Sequence, residues 1–292
     1  MKYVVTGSLG HISKPLSQAL IEAGHDVTIV TSKQENAQAI EALGATAAVG
    51  SVEDANFLTK TFTGADAVYT MVPPKWDATD WKGWIGKLGE NYATAIKNAG
   101  VKYVVNLSSI GAHMPDGAGP VSGLHRVEQA LNKLSDVNIM HLRPAYFYQN
   151  FYANIGMIKH AGIIGGNFGD DKLPLIHPND IAAVAAAALL DLNFKGHTIR
   201  YIVGDERTGK EIASVIGNAI GKPDLPWIVF TDEQNLQGAV QAGLPEEVAK
   251  NYTEMGHAIR TGAFYEEYDR PAFSNTKLED FAKEFAGAYN VS

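Results

Sequence analysis

Residues 2–13 read Lys-Tyr-Val-Val-Thr-Gly-Ser-Leu-Gly-His-Ile-Ser, and this stretch decides the fold. Residues 3–6 have the apolar, β-rich composition of a buried strand, and two glycines, Gly7 and Gly10, follow at once. An amphipathic pattern at 15–23 then predicts a helix, and a second apolar run follows it. The stretch therefore predicts a βαβ unit in which the glycine turn and the helix N-terminus bind a pyrophosphate.

Short apolar runs alternate with helical patterns from the start of the chain to about residue 145. The predicted strands of this part lie at 3–6, 26–30, 45–49, 67–72, 103–107 and 138–142. Such alternation is typical of an α/β fold with a doubly wound parallel sheet, the Rossmann architecture.

The alternation loosens after residue 145, and the last ninety or so residues read as mostly helical. We expect a dinucleotide-binding domain over 1–147, to which 177–203 return. A smaller, mostly helical lobe, made of 148–176 and 204–292, then covers the carboxyl ends of the strands. Within this part, the glycine-rich stretch 162–169 predicts neither helix nor strand, and Asn179 is a candidate N-cap of the helix that follows it.

Composition narrows the class of protein further. The 292 residues are 46% hydrophobic, carry a net charge of −8 and include no cysteine. The negative charge, without any basic run, argues against a nucleic-acid partner, and the lack of cysteine excludes disulfides, thiolate nucleophiles and cysteine–zinc sites. The longest apolar run, 181–190, is too short to span a membrane, and a strand at residue 2 leaves no room for a signal peptide. We expect a cytoplasmic protein without membrane contacts, and the scattered histidines predict no metal site.

Four motifs together resemble a known family. They are Gly7-x-x-Gly10-x-x-Ser13, Asn-Leu-Ser-Ser-Ile-Gly-Ala at 106–112, Arg-Pro-Ala-Tyr-Phe at 143–147 and His-Pro-Asn-Asp-Ile-Ala at 177–182. In this combination the chain resembles the NmrA-like branch of the atypical short-chain dehydrogenases/reductases over almost its whole length. The resemblance implies an NAD(P)-binding Rossmann fold. It also implies reduction of quinones, azo dyes or related acceptors, or else redox sensing with little catalysis.

The chain departs from the wider superfamily at the catalytic pair. Active short-chain dehydrogenases carry Tyr-x-x-x-Lys on the helix after the serine strand, whereas residues 119–128 here read Gly-Pro-Val-Ser-Gly-Leu-His-Arg-Val-Glu. His125 lies near the position of the missing lysine and could donate a proton near neutral pH. A position on the helix surface is the alternative explanation for this histidine.

The end of the second strand indicates which nicotinamide cofactor binds. NAD recognition normally places a carboxylate there to accept from the ribose 2′-hydroxyl. This chain has Thr31, Ser32 and Lys33 instead, and its first carboxylate is Glu35. Hydroxyls and an ammonium bind a 2′-phosphate that a carboxylate would repel, so the sequence favours NADP(H), with NAD(H) as the alternative. A solvated loop lysine is the other explanation for Lys33.

The remaining cofactor contacts follow from topology, because ligands of such sheets lie at the carboxyl ends of the strands. The complete predicted set is Gly7, Ser8, Leu9, Gly10, His11, Ile12, Thr31, Ser32, Lys33, Gly50, Ser51, Met71, Val72, Pro73, Ser108, Ser109, Tyr146 and Phe147. Substrate contacts are predicted at Trp76, His113, Tyr148 and Asn150, in two aromatic-rich segments and a Gly/Pro-rich loop that follow strand ends. Core packing is the alternative for the aromatic residues, and a surface loop for His113.

The leading hypothesis is an NADPH-dependent reductase, an oxidoreductase that acts on a planar, electron-poor acceptor of the quinone or azo type. The missing pair fits this chemistry, because hydride addition to a quinone gives a delocalised phenolate that water can protonate. The alternative is a non-catalytic NADP(H)-binding redox sensor that acts on a protein partner. An isomerase or epimerase would itself normally need the Tyr-Lys pair.

Overall fold

Seven strands pair in parallel into one sheet, in the order β10-β6-β5-β4-β1-β2-β3, in the computed structural model, which describes residues 1–292. The strands of the molecule are β1 (Lys2–Val5), β2 (Asp26–Thr31), β3 (Thr46–Val49), β4 (Ala67–Thr70), β5 (Tyr103–Leu107), β6 (Asn138–Pro144), β7 (Tyr146–Phe147), β8 (Ile164–Gly166), β9 (Leu173–Ile176), β10 (His197–Ile202), β11 (Asp205–Arg207) and β12 (Trp227–Val229). The predicted doubly wound α/β fold is therefore confirmed.

Helices cover both faces of this sheet. They are α1 (Ser13–Glu22), α2 (Ala37–Ala42), α3 (Ala55–Phe62), α4 (Trp81–Ala99), α5 (Pro120–Leu131), α6 (Ile155–Ala161), α7 (Pro178–Asp191), α8 (Gly209–Ala219), α9 (Asp232–Gln241), α10 (Glu246–Arg260) and α11 (Leu278–Val291). Tyr3 and Val5 of β1 face the apolar core under α1 and α7, whereas Val4 faces the core under α3, α4 and α5. Successive side chains of a strand point to opposite faces, so one short apolar strand serves both cores.

The second half of the chain adds a third core. Phe281 and Phe285 of α11 pack there with Ile212 and Ile216 of α8 and with Phe151, which follows β7. Two small sheets, β11-β9-β7 and β12-β8, accompany this core. The segment 177–203 returns to the large sheet, where it supplies α7 and the edge strand β10.

Two local predictions were wrong. The stretch 162–169 contains β8, which pairs in parallel with β12 far along the chain. Strands of three residues show no periodicity, so only their pairing defines them. The N-cap of α7 is His177 rather than Asn179. Pro178 occupies the first helical position, and the backbone N–H of Asn179 donates to Nδ1 of the His177 ring at 3.1 Å.

None of the eleven helices has both the length and the apolar character that crossing a membrane would need.

Candidate functional site

The glycine turn after β1 is tight. Gly7 adopts a left-handed conformation with φ +98°, and Ser8 follows with φ +55°. A side chain at Gly7 would meet Ser13 and Met71, and a Cβ at Gly10 would lie 3.0 Å from the Gly7 carbonyl oxygen. The Ser13 hydroxyl donates to the Thr6 carbonyl at 2.8 Å, which ties α1 to the end of β1. The turn therefore leaves room for backbone only, as close approach of a phosphate requires.

The two residues just before α1 carry unused hydrogen-bond donors. The N-cap of α1, Ile12, supplies no capping side chain, and no acidic residue stands in the first turn. The backbone N–H groups of His11 and Ile12 donate to no backbone carbonyl. Such donors at the positive end of a helix dipole favour an anion, so this end of the helix fits a pyrophosphate group.

A hydroxyl–amide cluster lies at the end of β2, next to the glycine turn. The Ser8 hydroxyl donates to the Thr31 hydroxyl at 2.9 Å, and the Asn36 amide donates to Ser8 at 3.0 Å and to Thr31 at 3.2 Å. Lys33 is turned outward: its side chain is 67% exposed and its ammonium lies 3.9 Å from Glu35. Asn36 was not predicted, because it lies five residues past the strand end and only the fold of 31–36 brings it back.

One cleft of about 900 Å³ runs along the carboxyl ends of the central strands and collects most of the predicted residues. Those that line it are Gly7, Ser8, Gly10, His11, Ile12, Thr31, Ser32, Gly50, Ser51, Met71, Val72, Pro73, Trp76, Ser108, Ser109, Tyr146, Phe147 and Asn150. The volume is within the range of protein sites that bind small molecules and cofactors.

Five predicted residues do not line the cleft. Lys33 is one, and Leu9 is a second, since its side chain packs against the apolar core below the turn. Tyr148, expected to contact substrate, is instead fully buried, stacks on Phe281 at 5.4 Å between ring centroids and donates to the Thr276 carbonyl. Tyr148 is therefore a core residue, as the packing alternative states.

The two histidine candidates also lie outside the cleft. The His125 ring lies 2.9 Å from the Ala112 carbonyl, and the His113 ring lies 3.1 Å from the Ala263 carbonyl. Both side chains thus hydrogen-bond to backbone, which ties loops to their neighbours. The structure places neither histidine where it could donate a proton to a molecule in the cleft.

An aromatic wall, made of Trp76, Trp81, Trp84, Tyr146, Tyr252 and Phe264, forms part of the cleft. Trp76 is 50% exposed, and its ring centroid lies 5.8 Å from that of Trp81 and 6.2 Å from that of Tyr252. Tyr252 belongs to α10, so the second half of the chain closes this side of the cleft. Ile85, Gln149 and Met255 also line the cleft without having been predicted.

Charges in the cleft are few and paired. Glu53 and Lys75 are its only acidic and basic lining residues apart from His11, and the Lys75 ammonium donates to Glu53 at 3.2 Å. The side chains of the aromatic wall are themselves uncharged, and the Lys75 ammonium lies 5.4 Å from the centroid of one of them, Trp84. No group of three or more histidine, aspartate or glutamate side chains converges as a metal site would need. The wall therefore fits a flat, uncharged molecule.

A buried ion pair fixes the floor beside the cleft. Arg143, of the Arg-Pro motif, donates to Glu128 of α5 at 2.8 and 3.1 Å, and Ser108 donates to the same carboxylate at 2.5 Å. Burial opposes the charge on Arg143, but the hydrogen bonds and charge of Glu128 outweigh burial and raise the pKa of the guanidinium. Arg143 therefore stays charged and cannot act as an acid. The Glu128 carboxylate of α5 is occupied by Arg143 and Ser108 and is not available to a ligand.

The sheet order, the glycine turn and the cleft at the strand ends define a Rossmann protein of the dinucleotide-binding type. The chain belongs to the NmrA-like family, whose model matches residues 2–277. The resemblance predicted from the four motifs is thus confirmed.

Known relatives share this length. The chain is 25% identical over 260 residues to (4-alkanoyl-5-oxo-2,5-dihydrofuran-3-yl)methyl phosphate reductase of Streptomyces griseus. The aligned residues cover 89% of this chain and 88% of that protein. It is 26% identical over 252 residues to NAD(P)H azoreductase of Xenophilus azovorans. That alignment covers 86% of this chain and 85% of the azoreductase. Its fold matches that of an NADPH-dependent quinone oxidoreductase of Escherichia coli complexed with NADPH, with a TM-score of 0.84, 19% identity and coverage of 97% and 99%.

Proposed function

We propose that this protein is an NADPH-dependent reductase of a planar, electron-poor acceptor of the quinone or azo type. One observation carries the proposal: a single cleft holds both a glycine turn with free backbone donors just before α1 and an aromatic wall of uncharged side chains. The two relatives named above are both reductases, and one of them is named for NAD(P)H and azo compounds, which supports the same chemistry.

The cofactor would lie along the strand ends, and bound NADPH would supply the hydride. The free backbone N–H groups of His11 and Ile12, just before α1, would hold its pyrophosphate. Ser8, Thr31 and Ser32, which line the cleft, would surround the 2′-phosphate with hydroxyl groups. Asn36 donates to Ser8 and Thr31 and would hold these two hydroxyls in place, and no carboxylate belongs to this cluster. Residues 1–147 with 177–203 would form the dinucleotide-binding domain, and 148–176 with 204–292 the substrate lobe.

The acceptor would lie against the aromatic wall, where burial and offset stacking favour planar rings. α5 contains neither the tyrosine nor the lysine that carbonyl reduction uses to protonate a localised alkoxide. Reduction of a quinone or azo compound needs less help, since the product anion is delocalised. The lysine of the cleft, Lys75, is paired with Glu53, so a phosphate ester such as the one in the Streptomyces relative's name would have to displace that pair.

A substrate panel tests the proposal. NADPH consumption is followed with naphthoquinones, azo dyes, simple ketones and secondary alcohols, the last with NADP⁺. We expect turnover with quinones or azo dyes and none with ketones or alcohols. Robust alcohol oxidation would show that another group replaces the missing pair, and inertness toward every acceptor would favour the sensor function.

A further inference from the structure

Tyr146 is a hydroxyl-bearing side chain that closely follows a strand of the large sheet and lines the cleft. Ser108 and Ser109 follow β5 and line the cleft as well, but the Ser108 hydroxyl donates to Glu128. Tyr146 begins β7, two residues after the end of β6 in the large sheet. Its ring is supported from the third core, at 5.6 Å from Phe151 and 5.4 Å from Phe168 between centroids. A ring held in this way presents its hydroxyl in a fixed direction.

Amide and phenol groups surround this hydroxyl. Asn150, four residues further along, lines the cleft as well, and its side-chain amide acts to lower the pKa of Tyr146. Burial, then the neighbouring Tyr252, raise the pKa of Tyr146 well above its ordinary value. Tyr146 therefore stays protonated at neutral pH and can donate a hydrogen bond without losing its proton.

The neighbouring tyrosines are less suited to this role. Tyr265 keeps a buried hydroxyl without a hydrogen-bond partner and does not line the cleft. Tyr252 does line it, but its ring packs edge-on against Trp81 at 5.5 Å and is tilted against Trp76. Tyr252 therefore contributes to the aromatic wall, and among these tyrosines Tyr146 is the one placed to act as a fixed donor.

We propose that the Tyr146 hydroxyl is the oxyanion-binding donor of this site, held in place by the packing of its ring on Phe151 and Phe168, and that it hydrogen-bonds to the acceptor oxygen that becomes negative. The inference rests on the proposed function. In the reaction, a quinone accepts a hydride from the reduced nicotinamide, whose C–H bond breaks and which is left oxidised. The hydroquinone monoanion then takes one proton from water. Tyr146 keeps its proton throughout and stabilises the charge by donation alone.

The first experiment compares Tyr146→Phe with Tyr152→Phe and Tyr252→Phe. Phenylalanine keeps the ring and its packing, and Tyr152, on the same segment but outside the cleft, is the matched control. We expect kcat/KM of Tyr146→Phe to fall by about tenfold, as one hydrogen bond to a charged oxygen predicts. The loss should increase along a series of quinones whose hydroquinones are more basic. A merely structural role would lower kcat/KM by the same factor for every quinone.

A second readout does not depend on turnover. The probe is 4-nitro-1-naphthol, a planar phenol whose phenolate absorbs visible light, titrated while bound to protein loaded with NADP⁺. A donor at the oxygen should hold the pKa of the bound probe about one unit lower in wild type than in Tyr146→Phe. Tyr152→Phe should match wild type.

Each outcome decides one of the two proposals. Equal probe pKa values in wild type and Tyr146→Phe, or the full loss in Tyr252→Phe instead, would overturn the role of Tyr146. A wild-type protein that reduces no acceptor would end the proposed reductase function, while the probe titration would still decide whether Tyr146 binds an oxyanion.

Discussion

Tyr148→Ala and Trp76→Ala should have opposite consequences, although both residues belong to aromatic-rich segments after strand ends. Tyr148 is fully buried and stacked on Phe281. Truncation of such a ring costs about 3–5 kcal/mol of unfolding free energy. For a chain of 292 residues, the unfolding entropy per residue converts this loss into a melting temperature lower by about 5–8 °C. Because Tyr148 lies outside the cleft, acceptor KM should change little.

Trp76 is half exposed and contacts Trp81 and Tyr252 at the mouth of the cleft. Its removal leaves the core intact, so the melting temperature should fall by no more than about 2 °C. An acceptor that stacks on this ring would lose about 1 kcal/mol of binding, which is about fivefold in its apparent constant. NADPH affinity should stay near the wild-type value.

Both properties are measured on both variants: melting temperature by circular dichroism, and initial rates of NADPH consumption against quinone concentration. Isothermal calorimetry with NADPH serves as the control for the cofactor site. The assignment of the two residues is refuted if Trp76→Ala melts several degrees lower with an unchanged acceptor constant. It is refuted equally if Tyr148→Ala keeps its stability and binds the acceptor more weakly.

Three further predictions concern the cofactor site and the core. Gly10→Val should abolish NADPH binding and keep the far-UV spectrum, because even a Cβ there lies 3.0 Å from the Gly7 carbonyl oxygen; unchanged affinity in a folded variant would contradict the turn's role. Ser32→Asp should weaken NADPH binding by roughly tenfold or more and leave NADH binding unchanged, since a carboxylate repels a 2′-phosphate. Equal weakening of both affinities would show that Ser32 does not lie beside the 2′-phosphate. Burial lowers the pKa of His141 to about 4. The unfolded chain therefore binds this proton first, and stability should fall as pH drops from about 6.5 to 4. In His141→Gln the melting temperature should depend less on pH across that window. An unchanged pH dependence would show that His141 does not cause the loss of stability.

Local sequence was sufficient for the large sheet. A run such as Tyr3–Val5 is apolar on both faces, and the glycines at Gly7 and Gly10 have few other uses directly after a strand. Strands β8 and β12 were missed because pairing, not composition, defines them. A helix start was misplaced at Asn179 because a histidine ring acts as the cap.

The site was predictable where it follows strand ends and unpredictable where it depends on distant elements. Thr31, Met71 and Ser108 could be placed by topology alone, because parallel strands end at one edge. Tyr252, Met255 and Phe264 reach the cleft from the last third of the chain, and no local pattern separates them from core residues. Tyr148 illustrates the converse: it shares a segment with Tyr146, but its ring points into the third core.

The most direct test of the account combines cofactor binding with turnover on the same preparation. NADPH and NADH affinities are measured by calorimetry, and protein loaded with one equivalent of NADPH is then mixed rapidly with a naphthoquinone. We predict tighter binding of NADPH than of NADH, followed by oxidation of the bound NADPH and repeated turnover when NADPH is in excess. Tight NADPH binding without oxidation by any quinone or azo dye would contradict the reductase function and leave a sensor.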